Sequence, residues 1–204
     1  MQSSTPAPRT GRPRNAAADT AILAATRAAL DELGWSGLTL GDVATRAGVA
    51  KTTVYRRWAG KNELVVDALA TLFDQLSLPD LGSLRADVEG VVLQFAELLE
   101  QPATKTALMA VVAEATHDEA LRGRIRERIV DRQKRLVVEG RRRAQHRGEI
   151  PPDEADPGPQ IDLIFDVIAG AVVHRTLVSC EQVDCDWAAR FTTILLDGLG
   201  AAGP

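Results

Sequence analysis

Lys51, Thr52, Thr53, Tyr55 and Arg56 fall within six consecutive residues, and Arg57 and Lys61 follow closely. On a helix that turns about 100° per residue, Val54 and Trp58 share one side, while Thr52 and Arg56 lie nearly opposite, flanked by Lys51, Thr53 and Tyr55. One side suits packing and the other is left free. An arginine there can pair in a fork with O6 and N7 of guanine, and a threonine offers a hydroxyl to bases and a methyl contact to thymine. Arg56 is therefore the leading candidate for reading a base edge. Tyr55 and Lys51 can reach phosphate oxygens, and Lys61 adds its charge to the positive end of a following helix, a ready anion seat. The competing reading is a solvated basic face on an ordinary helical bundle.

The surrounding chain predicts the elements that would hold this face in place. Ile22, Leu23, Thr26, Leu30 and Leu33 recur at helical spacing from about Asn15, and Gly34 offers a stop. Thr39-Leu40-Gly41-Asp42 is a capping box, so a second helix starts there. Leu40, Val43, Ala44 and Ala47 give it one apolar face, and Gly48 supplies the left-handed residue that ends it. A third short helix is predicted from Lys51 to Trp58. Residues 39 to 58 thus read as two short helices joined by a Gly-containing turn, the helix-turn-helix arrangement that presents its second helix to the major groove. A fourth helix opens at Gly60-Lys61-Asn62-Glu63 and runs along Leu64, Ala68, Leu69, Leu72 and Leu76 until Pro79. Five more are expected at about 83 to 100, 103 to 115, 118 to 147, 158 to 180 and 184 to 199, the last capped by Asp184 or Asp186.

Composition agrees with an all-α chain of about nine helices: an N-terminal three-helix helix-turn-helix head on a larger C-terminal helical body. Apolar residues form 45% of the 204 and aromatics only 4%, mostly Ala, Leu and Val as filling. The net charge of −4 is unevenly spread, since residues 1 to 61 carry nine cations against four acids, a local +5, and the rest carries −9. A basic head on an acidic body fits DNA binding by the head, because counterion release needs local cations. No apolar run suits a signal peptide or a membrane span, so the expected location is cytoplasmic. Cys180 and Cys185 are too few for a disulfide framework and are expected as free structural filler, with redox sensing the other reading.

The run from Thr39 to Leu64 resembles the DNA-binding signature of the TetR family of transcriptional regulators. The matching positions are Thr39, Val43-Ala44, Gly48, Thr53, Val54-Tyr55, Trp58 and Lys61-x-x-Leu64. Thr52 departs from the usual Gly and Arg57 from the usual aromatic. The resemblance implies that Lys51, Thr52, Thr53 and Arg56 face bases and that Thr39, Tyr55 and Lys61 contact phosphates, with Arg57 adding a backbone contact. It further implies a ligand-responsive repressor that binds a palindromic operator as a homodimer and is released by a small-molecule inducer. The corresponding division is a disordered basic arm at 1 to 14, a DNA-binding domain at 15 to 62, and a ligand-binding and dimerisation domain at 63 to 204. Within the arm, Gly11-Arg12-Pro13-Arg14 resembles the core of minor-groove hooks, so Arg12 and Arg14 either enter a narrow groove or stay solvated.

The same resemblance places an inducer pocket among the helices from 83 to 147, with Phe95, Leu98, Leu99, Leu108, Met109 and Val112 as candidate lining for a small, mostly apolar ligand. It places a dimer seam on the last two helices, where Ile161, Ile164, Phe165, Ile168, Val172, Trp187, Phe191, Ile194 and Leu195 supply apolar stripes. Such stripes equally suit the protomer's own core. The basic run Arg122, Arg124, Arg126, Arg128, Arg132, Lys134, Arg135 and Arg141 to Arg143 reads as a solvated helix laced with i,i+4 ion pairs in preference to a second nucleic-acid surface. His117, His146 and His174 lack metal-motif spacing, and no catalytic elbow or phosphate loop is present, so no metal, no cofactor and no enzymatic activity are expected. Two other classes stay open: a ligand-independent architectural DNA-binding protein, and a small-molecule binding protein or enzyme without a DNA role.

Overall fold

A computed structural model describes residues 16–153 and 155–200, all helix, turn or loop. The elements are α1 (Ala16–Gly37), α2 (Leu40–Arg46), α3 (Lys51–Tyr55), α4 (Lys61–Phe73), α5 (Leu84–Glu100), α6 (Pro102–Ala115), α7 (Glu119–Ile125), α8 (Asp131–His146), α9 (Gly158–Val173) and α10 (Cys185–Gly200). A single π turn, Arg126–Val130, joins α7 and α8 into one continuous rod, and another, His174–Val178, extends α9. The described residues therefore form nine helical rods and no strand. No helix among them is long and apolar enough to cross a membrane. Arg12 and Arg14 lie outside the described residues.

Local chemistry sets most boundaries. Gly34 has φ 65°, so α1 breaks there. Ser83, Asp118 and Asp184 accept the backbone N–H of Ala86, Leu121 and Trp187, and thus start α5, α7 and α10. Pro102 opens α6, where its missing N–H costs nothing.

Two boundaries differ from expectation. The α3 ladder ends at Tyr55, and Arg56 to Trp58 continue as a tight turn in which the Trp58 N–H reaches Val54 O. Helix α4 ends at Phe73, well before Pro79. Leu76 and Leu78 are buried while Ser77 is exposed, an alternation that only an extended chain provides, and Pro79 biases the residue before it the same way.

The basic run is also corrected. It contains one i,i+4 pair, Arg143 with Glu139, and otherwise mainly ties helices together. Arg132 pairs with Asp74, Lys134 with Asp162 and Arg141 with Asp153, while Arg135 donates to Leu76 O. Their partners are far away in sequence, which periodicity along one helix cannot register. Cys180 and Cys185 are free and exposed, so neither is core filler.

The core is continuous from Ile22 and Val43 in the first helices, through Leu64, Val65 and Leu69 of α4, to Val92, Leu99 and Val111 in α5 and α6. Helices α1 and α4 pack on α6, while α10 packs on α5. Helix α4 touches α1, α6 and the α7–α8 rod, and the turn after α3 bonds to it through Trp58.

Candidate functional site

Helix α2 begins where the Thr39 hydroxyl oxygen accepts the Asp42 N–H at 3.1 Å. The reciprocal half of the capping box runs between side chains, with the Thr39 hydroxyl donating to Asp42 Oδ2 at 2.5 Å. At the far end Gly48 has φ 65°, Gly48 N–H donates to Thr45 O, and Val49 N–H donates to Ala44 O. This pair of bonds is a Schellman stop, and the left-handed residue it needs turns the chain into α3. Val43, Ala44, Val54 and Trp58 are all buried, with α2 packed on α1 and α3 and Trp58 bonded to Asp67 of α4. Their burial fixes the rotation of α3.

That rotation leaves Lys51, Thr52, Tyr55 and Arg56 exposed and Thr53 half-buried. None of these five makes a side-chain hydrogen bond or ion pair among the described residues, so the donors of the free face are available to an outside partner. The Lys51 side chain leans over Gly41, where a Cβ would stand 3.4 Å from its Nζ.

The flanking cations are placed differently. Arg57 pairs with Asp19 of α1 and is largely buried. Lys61 donates to Trp35 O at 3.1 Å and sits 4.3 Å from the centroid of the Trp35 ring. Both therefore brace the turn after α3 against α1. Arg46, on α2, pairs with Glu32 at 2.8 Å; hydrogen bonding to Arg46, then its charge, holds the Glu32 carboxyl below the ordinary carboxylate range.

Beneath this unit, Asp67 of α4 is buried at 6% exposure. Trp58 Nε1 donates to Asp67 Oδ2 at 2.8 Å, Arg124 grips the carboxylate through Nε and Nη2 at 3.2 and 2.7 Å, and Arg128 adds a bond at 3.0 Å. The forked arginine contact suits a carboxylate removed from water. Sequence reading treats Trp58 as packing and the arginines as solvated. The one available signal was an aspartate in the apolar run Leu64 to Leu69.

A cavity of about 890 Å³ lies between the end of α4 and helices α5, α8, α9 and α10. Of the six residues proposed from sequence as pocket lining, Phe95 lines this cavity. Leu98, Leu99 and Leu108 are instead buried in the core, and Met109 and Val112 are exposed on α6. The cavity takes Ile164, Phe165, Ile168 and Leu195 from the stripes assigned to a dimer seam. Of that seam's other members, Val172 is fully buried, Ile161 is half-buried, Trp187 and Phe191 stack on each other at 5.0 Å, and only Ile194 is largely exposed, at 74%. The apolar side chains left facing outward on α9 are Leu163 and Val167.

Comparison with known proteins agrees with this architecture. Residues 22–68 match the model of bacterial regulatory proteins of the tetR family, and residues 78–195 match the tetracyclin repressor-like C-terminal domain. An uncharacterized HTH-type transcriptional regulator of Mycobacterium tuberculosis is 32% identical over 78% of this chain and 76% of its own length. The DNA-binding transcriptional repressor TetR of Mycobacteroides abscessus is 31% identical over 76% of this chain and 80% of its own. The crystal structure of the TetR family transcription regulator SCO0332 superposes with a TM-score of 0.75 at 30% identity, covering 89% of this chain and 97% of that one. The chain belongs to the TetR family and is a DNA-binding transcriptional regulator, not an enzyme.

Proposed function

We propose that this protein is a ligand-responsive repressor that binds a palindromic operator as a homodimer and releases it when a small molecule enters the cavity. The observation that carries this reading is that α4 and the α7–α8 rod each reach both sites. Helix α4 holds Asp67 under Trp58 and, two turns on, places Phe73 in the cavity wall. The π turn of the rod places Arg128 on Asp67 and Ile129 in the cavity. A ligand that shifts either element alters the footing of α3, provided it prefers one state by a few kcal/mol. The similarity to a named repressor supports the sign of regulation.

In this reading residues 15 to 62 bind DNA and residues 63 to 204 bind ligand and pair, in the cytoplasm. Lys51, Thr52, Thr53 and Arg56 read bases, and Thr39 and Tyr55 hold phosphates. Arg57 and Lys61 reach phosphate only by leaving Asp19 and Trp35. Pairing uses the outward face of α9 and α10 around Leu163, Val167 and Ile194, and two-fold symmetry then sets half-sites about one helical turn or a multiple apart.

Selection of bound duplexes from a random pool at near-physiological salt tests this reading. An enriched palindrome supports it; binding without sequence preference points to an architectural role instead.

A further inference from the structure

The cavity wall is mainly apolar; Arg85, Glu149, Asp153 and Gln160 reach its edge, and Gln133 and Arg141 add two polar side chains from one side of α8. Gln133 is 4% exposed, and neither its Oε1 nor its Nε2 has a hydrogen-bond partner among the described residues. Arg141, eight residues on, also lines the cavity; its Nη2 is paired with Asp153, but its Nε is buried and unpartnered. Leu136, Val137 and Gly140 lie on the same face between them and line the cavity too. Eight helical residues rise about 12 Å, so the two polar points stand roughly that far apart along the cavity.

A buried amide that uses neither donor nor acceptor is costly to keep, and a buried guanidinium N–H is no cheaper. Both groups are enclosed by protein atoms, so a bound group satisfies them only when the two side chains turn toward the cavity. The amide of Gln133 asks for a partner that both donates and accepts, as a hydroxyl or a primary amide does. The Nε–H of Arg141 asks for an acceptor. Charge narrows the choice further. Arg141 is already neutralised by Asp153, Glu149 accepts from Leu84 N–H and pairs with Arg147, and Arg85 donates to Thr193 and lies 3.9 Å from Glu89. A carboxylate brought to Arg141 would set its charge against that of Asp153, whereas a carbonyl oxygen carries no net charge to be repelled.

We infer that the cavity takes an elongated, electrically neutral ligand, with a hydroxyl or primary amide bonded to Gln133, an apolar body, and an ester- or ketone-type carbonyl accepting from Arg141 about 12 Å away. This assignment rests on the reading of the cavity as the effector site. The volume of about 890 Å³ is ample for such a molecule.

The full-length protein is titrated calorimetrically with three probes: methyl 10-hydroxydecanoate, methyl decanoate and 10-hydroxydecanoic acid. The hydroxy ester is expected to bind roughly tenfold more tightly than the plain ester, and the acid less tightly than the hydroxy ester. In Gln133→Leu, which keeps volume and removes the stranded amide, the protein folds and the ratio between the two esters falls to about one. In Arg141→Lys, which keeps the charge opposite Asp153 but loses Nε, both esters weaken together. Equal binding of the two esters to the unaltered protein overturns the assignment. So does an unchanged ratio in Gln133→Leu, tighter binding of the acid than of the hydroxy ester, or binding by none of the three. A selected operator duplex separates the two readings. If the ester discrimination holds but the occupied protein keeps its operator, the ligand assignment stands and the inducer reading falls. If another compound releases the operator while Gln133 discriminates nothing, the assignment falls and the regulator reading stands.

Discussion

The indole N–H of Trp58 and the carboxylate of Asp67 meet at 2.8 Å in the interior, where the last turn of the DNA-binding unit rests on α4. Because Arg124 and Arg128 hold the same carboxylate, one aspartate joins three parts of the chain. Trp58→Phe keeps most of the packing and removes only this donor. It is expected to lower stability by about 1–2 kcal/mol, read as a shift in urea midpoint, and to weaken operator binding as α3 loses its footing. Unchanged operator affinity in a destabilised variant would make the contact purely structural.

Arg56 and Tyr55 share the exposed face of α3 but should fail differently. Arg56→Ala is expected to cost roughly 1–3 kcal/mol of operator affinity and to relax preference at one base position per half-site. Tyr55→Phe should weaken binding evenly across sequences, and competition assays with single-base operator variants separate the two patterns.

Gly48 sits at φ 65°, with open space where a Cβ would go. Gly48→Ala therefore suffers the left-handed backbone penalty alone, about 1–2 kcal/mol, with no steric clash to add to it. Thermal melting should report a drop of that size with α-helical circular dichroism unchanged.

Leu163 and Ile194 are 60% and 74% exposed. Buried against a second copy, a charge at either position lacks a partner, so Leu163→Asp and Ile194→Asp should each yield monomers in analytical ultracentrifugation. Phe165→Asp should instead disturb the cavity and the fold, because Phe165 faces inward.

Asp153 is held below the ordinary carboxylate range by a hydrogen bond from the Gln145 amide and then by bonding to Arg141. A carboxyl depressed in the folded state contributes stability that is present above its unfolded value and is lost as pH falls through the lowered one. Melting temperature should therefore fall less steeply on acidification through the ordinary carboxylate range and below it in Asp153→Asn than in the unaltered protein.

The sequence by itself determined helix starts and stops that rest on neighbouring atoms, Thr39 capping α2 and Gly48 ending it, while the start of α10 was open between Asp184 and Asp186 until the structure chose Asp184. It also determined which side of α3 is free, because a turn of about 100° per residue separates Val54 and Trp58 from Thr52 and Arg56 whatever the rest of the chain does. The partners across space were decided only by the tertiary structure. Asp67 finds Arg124 at a separation of 57 residues, and no periodicity along either helix encodes that meeting. The apolar stripes of α9 and α10 were visible, but a stripe says only that it is buried. Packing on α5 and α8 turned Phe165, Ile168 and Leu195 into cavity wall and left Leu163 and Ile194 outside. Arg57 shows the same limit, since its positive charge was plain and its pairing with Asp19 depended on how α1 folds back.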